Sequence, residues 1–276
     1  MPEFRVSGYE ILEVINKGSF GVVYKARDEA TNETVAIKAA HGLLSDSALM
    51  EMDVLESLPR HKNIVGLKKI LADRGALILV MEYVESDLKT AREKLQNPFP
   101  PKLIKTLIFE ILNGVAFLHD QGFVHRDLKP ANILFGGKNR AKICDFGLSA
   151  RLESLWGGGV GTMFYKAPEI LDDSDTYTSG VDVWSVGCMM AEFVLDKPLF
   201  RGRSDDHQLE CIRRLVWPQT NLVRMYMSMS ASLLGATRLS ESGLDLLEKF
   251  LAFDPSDRIS ARDALKHPWF EEDFEA

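Results

Sequence analysis

Polar and apolar residues alternate along the first part of the chain, as they do in half-buried strands. Residues 9–15 show this pattern, and the segments 22–26, 34–38, 64–69 and 77–81 are predicted to be further strands. Residues 45–58 instead carry apolar side chains at helical spacing, Leu49 among them, and Ser45 is a suitable N-cap for that helix. The pattern predicts a small β-rich unit with one helix.

Helical spacing dominates after residue 87. Pro101 begins a long predicted helix with one apolar stripe, and Gly122 follows it as a C-terminal stop. Two short strands are predicted at 133–135 and 141–143, and four more helices at 181–193, 206–216, 241–252 and 261–265. The pattern therefore predicts an α+β fold with two lobes, one at about 1–84 and the other at about 85–276.

Composition restricts the possible function classes. Hydrophobic residues make up 46% of the chain and charged residues 26%, which is typical of a globular protein. The net charge of −7 argues against a broadly basic surface for nucleic acid or membranes, and three cysteines are too few for a zinc site or a disulfide framework. The chain shows no signal peptide pattern and no apolar run of about 18 residues. We therefore expect an intracellular protein, cytoplasmic or nuclear, that binds neither nucleic acid nor membranes.

The first hairpin and the third strand carry residues suited to binding phosphate. Gly18 and Gly21 lie in the hairpin turn, where a backbone without β-carbons can approach phosphate oxygens, although many hairpin turns contain two glycines without any ligand. Lys38 should face the interior, where its ammonium group needs an anion. Glu51 on the predicted helix can pair with it. The alternative is a lysine whose stem covers the core while its head group reaches water.

Residues 125–132 combine an acid, two cations and an amide between a predicted helix and a predicted strand. Asp127 can accept a proton from an attacking hydroxyl, and Lys129 can neutralise charge on a transferring phosphoryl group. Asn132 and Asp145 offer hard oxygen ligands to Mg²⁺, and nucleotide phosphates would complete its coordination. Taken with Lys38, this order of residues predicts phosphoryl transfer.

These motifs, in this order, resemble those of the eukaryotic protein kinases over essentially the whole chain. The matching segments are Gly18-Ser-Phe-Gly-Val-Val23, Val35-Ala-Ile-Lys38, Glu51, residues 125–132, Asp145-Phe-Gly147, Ala167-Pro-Glu169, Asp182-Val-Trp-Ser-Val-Gly187 and Arg258. The resemblance implies one bilobal protein-kinase domain over residues 1–276, with ATP and Mg²⁺ as cofactors and protein serines and threonines as substrates. It also implies that Glu169 pairs with Arg258 and that Asp182 braces the backbone around His125.

The resemblance assigns a role to each candidate residue. Asp127, Lys129, Lys38 and Glu51 form the expected catalytic group, and Asn132 and Asp145 are the expected metal ligands. The residues expected to surround the nucleotide are Ile15, Asn16, Lys17, Gly18, Ser19, Phe20, Gly21, Val22, Val23, Ala36, Lys38, Glu82, Val84, Asp87, Asn132, Leu134 and Asp145. Of these, Glu82 and Val84 should offer backbone groups to adenine, and Asp87 should offer its carboxylate to the ribose.

Within the superfamily, the chain looks most like the cyclin-dependent kinases of the CMGC branch. The similar segments are residues 81–89, 197–202 and 207–209. Residues 45–51 occupy the place of the PSTAIRE helix, on which those kinases dock a cyclin. A cyclin or another activator is therefore the expected partner of this helix.

The activation segment, residues 145–169, departs from that branch. Gly157 replaces the threonine that cyclin-dependent kinases phosphorylate, and Met50 replaces an arginine that helps to bind the phosphate, while Arg126 remains. We therefore hypothesise that activity needs no phosphate at this position. By the same resemblance, Thr162 should support Asp127.

Two other functions share part of this pattern. A kinase-fold scaffold, or pseudokinase, would bind nucleotide or partners without turnover, since a fold alone does not establish activity. Pseudokinases typically lose the lysine or one of the two aspartates, whereas Lys38, Asp127, Asn132 and Asp145 are all present. A small-molecule phosphotransferase would share the phosphate chemistry, but the Ala167-Pro-Glu169 segment favours a polypeptide substrate.

Overall fold

The computed structural model describes residues 4–18, 21–40, 45–73, 76–95, 99–137, 140–155, 159–172, 177–216, 222–234 and 239–272. The strands are β1 (Tyr9–Gly18), β2 (Gly21–Asp28), β3 (Thr34–Ala40), β4 (Leu67–Asp73), β5 (Ala76–Glu82), β6 (Ser86–Asp87), β7 (Phe123–Val124), β8 (Ile133–Gly136), β9 (Arg140–Ile143) and β10 (Ala150–Arg151). The α-helices are α1 (Asp46–Ser57), α2 (Leu88–Lys94), α3 (Pro101–Asp120), α4 (Pro168–Leu171), α5 (Gly180–Leu195), α6 (Asp205–Val216), α7 (Leu222–Leu234), α8 (Glu241–Phe250) and α9 (Ala261–Ala264). Among the described helices, none is both long and apolar enough to cross a membrane.

The small lobe is an antiparallel sheet in the order β1-β2-β3-β5-β4, with α1 beside it. The register of the central strand places Lys38 opposite Val23 on one side and Leu79 on the other. Helix α1 begins as predicted, because the Ser45 hydroxyl accepts a hydrogen bond from the Ala48 amide at 3.3 Å. This lobe therefore holds Lys38 on a strand that is paired along both edges.

The large lobe is built around α5, which is buried along nearly its whole length. Helix α3 packs against it through the predicted apolar stripe, and Trp269 near the C-terminal end of the described chain is 1% exposed. The hairpin of β8 and β9 lies beside α3, with β6 paired to β8. This hairpin brings residues 125–132 and Asp145 to the side of the lobe that faces the sheet.

The predicted strand at 64–69 is wrong at its start. Ile64 and Val65 do not pair within the small-lobe sheet; the Val65 amide donates to the Ile143 carbonyl at 2.9 Å, on β9 of the large lobe. The Gly66 amide donates to the Glu82 carboxylate at 2.7 Å, so the sheet strand begins only at Leu67. These residues form a connection between the lobes. The side-chain pattern of such a connection is the same as that of a strand paired within a sheet, so the sequence does not distinguish the two.

Other predictions were incomplete. Helix α2 was missed because only Leu88 is buried in it, so its seven residues show no apolar period. Helix α7 was also missed, and its Met225 and Met229 side chains are exposed. Leu49, which the pattern placed in an apolar stripe, is 37% exposed. Ser19, Phe20 and Gly157 lie outside the described residues.

Candidate active site

Lys38 lies near the middle of β3, and its ammonium group contacts two carboxylates. Its Nζ is 2.6 Å from the Glu51 Oε2 on α1 and 2.7 Å from the Asp145 Oδ1, just after β9. The Lys38 side chain is 11% exposed and that of Glu51 only 4%. The predicted pairing with Glu51 is confirmed, and the alternative of a head group in water is excluded. The cluster joins β3, α1 and the segment that follows β9.

The charges within this cluster depend on one another. Burial alone would lower the pKa of Lys38, but the carboxylates of Glu51 and Asp145 outweigh burial and raise that pKa. Burial raises the pKa of Glu51 despite its ammonium partner. Desolvation would also raise the pKa of Asp145, but Lys38 outweighs it and holds that pKa below its ordinary value. At neutral pH the cluster therefore keeps a cationic lysine beside an ionised Asp145.

The backbone that precedes Asp127 is held by the carboxylate of Asp182 on α5. Asp182 accepts hydrogen bonds from the amides of His125 and Arg126, each at 2.9 Å, and its Oδ2 is also 2.9 Å from the His119 Nε2. The predicted bracing is confirmed. Because Asp182 lies on the most buried helix of the large lobe, it fixes this loop to the core.

Asp127 is 5% exposed and bonded on both carboxylate oxygens. Its Oδ1 accepts from the Thr162 amide at 2.8 Å and from the Thr162 hydroxyl at 2.7 Å. Its Oδ2 accepts from the Lys129 ammonium at 2.7 Å and from the Asn132 amide nitrogen at 3.2 Å. The expected support from Thr162 is therefore confirmed. These contacts fix the orientation of a carboxylate and place a cation directly beside it.

Two of the four non-glycine residues with positive φ in the described chain lie in this site. Arg126 has φ 67° and Asp145 has φ 64°. Such angles are uncommon for L-residues, cost about 1–3 kcal/mol each and persist where the surroundings impose them. Gly161, at φ 99°, lies so close to this loop that a β-carbon there would be 2.6 Å from the Arg126 carbonyl oxygen. The loop of residues 125–132, which we call the catalytic loop after its expected role, is thus packed backbone to backbone against the segment before α4.

The segment before α5 is tied to the far end of the large lobe. Arg258 donates to both carboxylate oxygens of Glu169, at 2.7 and 3.1 Å, and its side chain is fully buried. The guanidinium also lies 5.1 Å from the centre of the Trp184 ring. The predicted pair is confirmed and holds α4 in place beside the loop that carries Asp127.

A family model described as a protein kinase domain matches residues 9–270. The chain belongs to the protein kinase family. The α+β architecture, with a β-rich small lobe and a helical large lobe, agrees with that assignment. Family membership implies ATP as the phosphoryl donor, typically with Mg²⁺.

Within the family, this kinase belongs with the cyclin-dependent kinases. It is 38% identical over 286 residues to cyclin-dependent kinase 20 of Danio rerio, a match that covers 95% of this chain and 83% of the relative. It is 37% identical to cell division control protein 2 homolog 3 of Trypanosoma brucei brucei, over 95% of this chain and 91% of the relative. It is 38% identical to cyclin-dependent kinase G-2 of Oryza sativa subsp. indica, but there it spans only 42% of the relative's length.

Most of the described residues that are expected to surround the nucleotide lie on the first three strands of the small lobe. Ile15, Asn16, Lys17, Gly18, Gly21, Val22 and Val23 lie on β1 and β2, and Ala36 lies on β3. Gly21 needs to be glycine because a β-carbon would meet the Ala39 carbonyl oxygen at 2.3 Å, whereas a β-carbon at Gly18 would have open space. Packing against β3 is therefore sufficient to require glycine at position 21, and the backbone at Gly18 has open space beside it.

The segment between the lobes carries Glu82, Val84 and Asp87. The Glu82 amide already donates to the Gly66 carbonyl at 2.9 Å, so only the Glu82 carbonyl can face an adenine ring. The Asp87 carboxylate caps α2, accepting from the Thr90 amide at 2.8 Å and from its hydroxyl at 2.7 Å. Asp87 pairs across β6 and β8 with Leu134, which places these two candidate residues side by side.

The donors of the expected metal site suit Mg²⁺. The Asn132 amide nitrogen donates to the Asp127 carbonyl at 2.9 Å, which leaves the Asn132 Oδ1 as a ligand. Asp145 uses Oδ1 for Lys38, which leaves its Oδ2. The Cys144 amide donates to the Asn132 carbonyl at 3.0 Å, so the two residues are held close together. Two hard oxygens, with further ligands from phosphates and water, are the usual protein share of a magnesium site.

No pattern in the sequence points to the residues that hold the Arg126 side chain. Its guanidinium donates to the carbonyls of Leu148 and Ser149 and to the Tyr177 hydroxyl. Two of these acceptors are backbone atoms, and Tyr177 is 51 positions away along the chain. Only the folded structure brings these groups together.

Proposed function

We propose that this kinase transfers the γ-phosphoryl group of MgATP to serine and threonine hydroxyls of other proteins. The observation that carries this proposal is the continuous set of contacts from Glu51 through Lys38 to Asp145, and from Asn132 to Asp127. These contacts support a site in which an ammonium group, a fixed carboxylate and two oxygen ligands would share one cleft. Catalysis of phosphoryl transfer consists mainly of such positioning and charge neutralisation.

Each charged group has a separate role in the proposal. Asp127 orients the acceptor hydroxyl and takes its proton, and Lys129, 2.7 Å away, steadies the phosphoryl group that moves. Lys38 holds the α- and β-phosphates and is itself oriented by Glu51. Asn132 and Asp145 would hold magnesium, which supplies charge neutralisation at the phosphate oxygens.

The remaining candidate contacts stay part of this proposal. The residues of β1 to β3 would cover the nucleotide, Glu82 and Val84 would offer backbone groups to adenine, and Asp87 would meet the ribose. The Leu134 side chain is half-buried on β8 and would form the floor of the adenine site. Residues 1–276 would then constitute a single kinase domain, with the small lobe ending near residue 84.

A partner is proposed to bind the exposed side of α1, with a cyclin as the expected class. Leu49 and Asp53 are four residues apart on one face of α1. Asp53 accepts a hydrogen bond from Arg151 at 2.8 Å, and the next residue, Leu152, is 38% exposed. The two exposed leucines lie beside an ion pair that joins α1 to the activation segment. A partner bound to this surface would fix α1 and, with it, the orientation of Glu51.

The decisive test is removal of the proposed base. Asp127→Asn keeps the size of the side chain but cannot accept a proton, so protein phosphorylation should fall by about a hundredfold or more. Lys38→Met should lower the rate by a similar factor, and Asp127→Asn should keep the thermal unfolding midpoint within a few degrees of the wild-type value. Asp257→Asn, at an exposed position, is the matched control and should keep full activity. Full turnover by the Asp127→Asn enzyme would refute the assignment.

A further inference from the structure

The side chain of Arg126 lies where three parts of the chain meet. Its Nε donates to the Leu148 carbonyl at 2.6 Å, its Nη2 to the Ser149 carbonyl at 3.2 Å and its Nη1 to the Tyr177 hydroxyl at 2.6 Å. The first two acceptors follow Asp145 closely in the chain, and the third lies shortly before α5. One guanidinium therefore links the catalytic loop to the activation segment and to the core of the large lobe.

All three acceptors of this cation are uncharged. Within the described part of the chain, no carboxylate forms an ion pair with Arg126, which is half-buried. A guanidinium has five N–H donors in a rigid fork, and hydrogen bonds from a charged donor are stronger than neutral ones. Three such bonds satisfy most of this fork, so the arginine has a fixed position without any anion beside it.

The position of Arg126 matters because of its neighbours in the chain. Asp127 is the next residue, and Leu148 and Ser149 lie three and four positions after Asp145. Both Arg126 and Asp145 adopt left-handed backbone angles, which persist only where the surroundings impose them. Movement of the guanidinium would therefore be transmitted to the backbone beside both acidic groups of the cleft.

Tyr177 is suited to hold this cation. It is 6% exposed and lies three residues before α5, the most buried helix of the lobe. A phenol ring has only two side-chain torsions, so its hydroxyl is positioned at little entropic cost. Of the three acceptors it is the only side chain, and it is the one acceptor that lies outside the activation segment.

We propose that Tyr177 is a positioning residue for phosphoryl transfer. Its hydroxyl holds Arg126 and, through Arg126, keeps Leu148 and Ser149 in the arrangement that aligns Asp145 with Asp127, with no phosphate on the activation segment. This rests on the proposed kinase activity. It accounts structurally for the joint absence of a threonine at Gly157 and of an arginine at Met50.

The test compares Tyr177→Phe with the wild-type chain after phosphatase treatment of both. We expect kcat to fall about tenfold, equivalent to about 1.4 kcal/mol in the activation barrier, with KM for ATP changed by less than about twofold. Tyr226→Phe is the matched control, because that tyrosine is half-buried in the same lobe and its hydroxyl has no hydrogen-bond partner in the part of the chain described. It should behave as wild type.

A double-mutant cycle shows whether Tyr177 acts through Arg126. Arg126→Lys keeps the positive charge but removes the guanidinium group that bonds Tyr177. In that background Tyr177→Phe should therefore have little further effect on kcat. Additive losses in the two variants would overturn the proposal. A merely structural tyrosine would lower the unfolding midpoint without this coupling.

Hydrogen–deuterium exchange provides a readout that does not need turnover. The amides of residues 148–152 should exchange faster in Tyr177→Phe than in wild type or Tyr226→Phe. Unchanged exchange, or unchanged kcat in an active enzyme, overturns the inference. If the wild-type chain phosphorylates no protein, but residues 148–152 still exchange faster in Tyr177→Phe than in wild type, the proposed function is refuted while the contact between Tyr177 and Arg126 stands.

Discussion

At the scale of single residues, the site is built from buried charges that each have a partner. Asp182 is fully buried, a position in which desolvation would raise its pKa, but the hydrogen bond and charge of His119 hold that pKa below the ordinary value of 3.8. The amides of His125 and Arg126 act in the same direction, because they stabilise the ionised carboxylate. A buried acid that stays ionised is therefore the support of the catalytic loop.

Replacing this acid should reveal its contribution to stability. Asp182→Asn places an amide among groups that donate, so the free energy of unfolding at neutral pH should fall by about 2–3 kcal/mol. Because the pKa of Asp182 is lower in the folded than in the unfolded chain, its stabilising effect is present above pH 3.8 and is lost as the pH falls through the folded-state pKa. Urea unfolding at several pH values is the measurement. The difference in the free energy of unfolding between wild type and variant should become smaller in acid. A difference that stays constant would contradict this account.

At the scale of elements, an ion pair joins α4 to the segment that follows α8. Glu169 and Arg258 are both almost inaccessible to solvent, and two parallel hydrogen bonds connect them. Loss of one partner from such a pair leaves an uncompensated buried charge, which costs far more than the loss of an exposed pair. The pair between Arg214 and Glu210, one turn apart on α6, is exposed on both sides and serves as a comparison.

Two matched substitutions should distinguish the contribution of the buried ion pair from that of the exposed one. Glu169→Ala should lower the free energy of unfolding by about 3–5 kcal/mol, since Arg258 would stay buried without a counter-ion. Glu210→Ala should change it by less than about 1 kcal/mol. Chemical denaturation of both variants is the measurement. If both variants lost the same free energy of unfolding, burial would not make the pair of Glu169 with Arg258 more important than an exposed pair.

At the scale of the whole molecule, a few contacts set the position of the small lobe against the large one. Asp145 of the large lobe bonds Lys38 of the small one, and Arg151 bonds Asp53 on α1. The second pair is about half exposed on both sides, so it adds little to stability by itself. Lys38 also pairs with Glu51, which lies on α1 together with Asp53. A partner that binds this helix would therefore act on Glu51 and on the activation segment together.

The expected partner can be tested with the complete chain. Turnover should be measured with the purified kinase alone and after addition of a panel of cyclins. We expect at least one cyclin to raise kcat, because contact with Leu49 and Leu152 would hold α1 and the activation segment in their present relation. Leu49→Lys should lose this stimulation, and Met225→Lys, at an exposed apolar position on α7, should keep it. Full turnover by the chain alone, with no response to any cyclin, would exclude the partner.

Local patterns predicted most of the longer elements that bury one face, although α7, which buries Val223 and Met227, was missed. The helix at α1 was predicted from Ser45 and its apolar spacing, and the strand β1 from its alternation. The predictions failed at α2, which is largely polar, and at Ile64, whose backbone pairs with β9 of the other lobe. Periodicity reports burial of side chains, and it carries no information on which backbone groups are paired over long distances.

The sequence by itself determined which chemical groups this protein has at its cleft, because Lys38, Asp127, Asn132 and Asp145 lie in short motifs whose residue types and order are restrictive. It also determined the pair of Glu169 with Arg258 through the family pattern. Only the tertiary structure decided that Tyr177 bonds Arg126 and that the Glu82 amide is already occupied. These contacts join groups that are distant in the chain, one of them a backbone atom, and no local pattern encodes such distances.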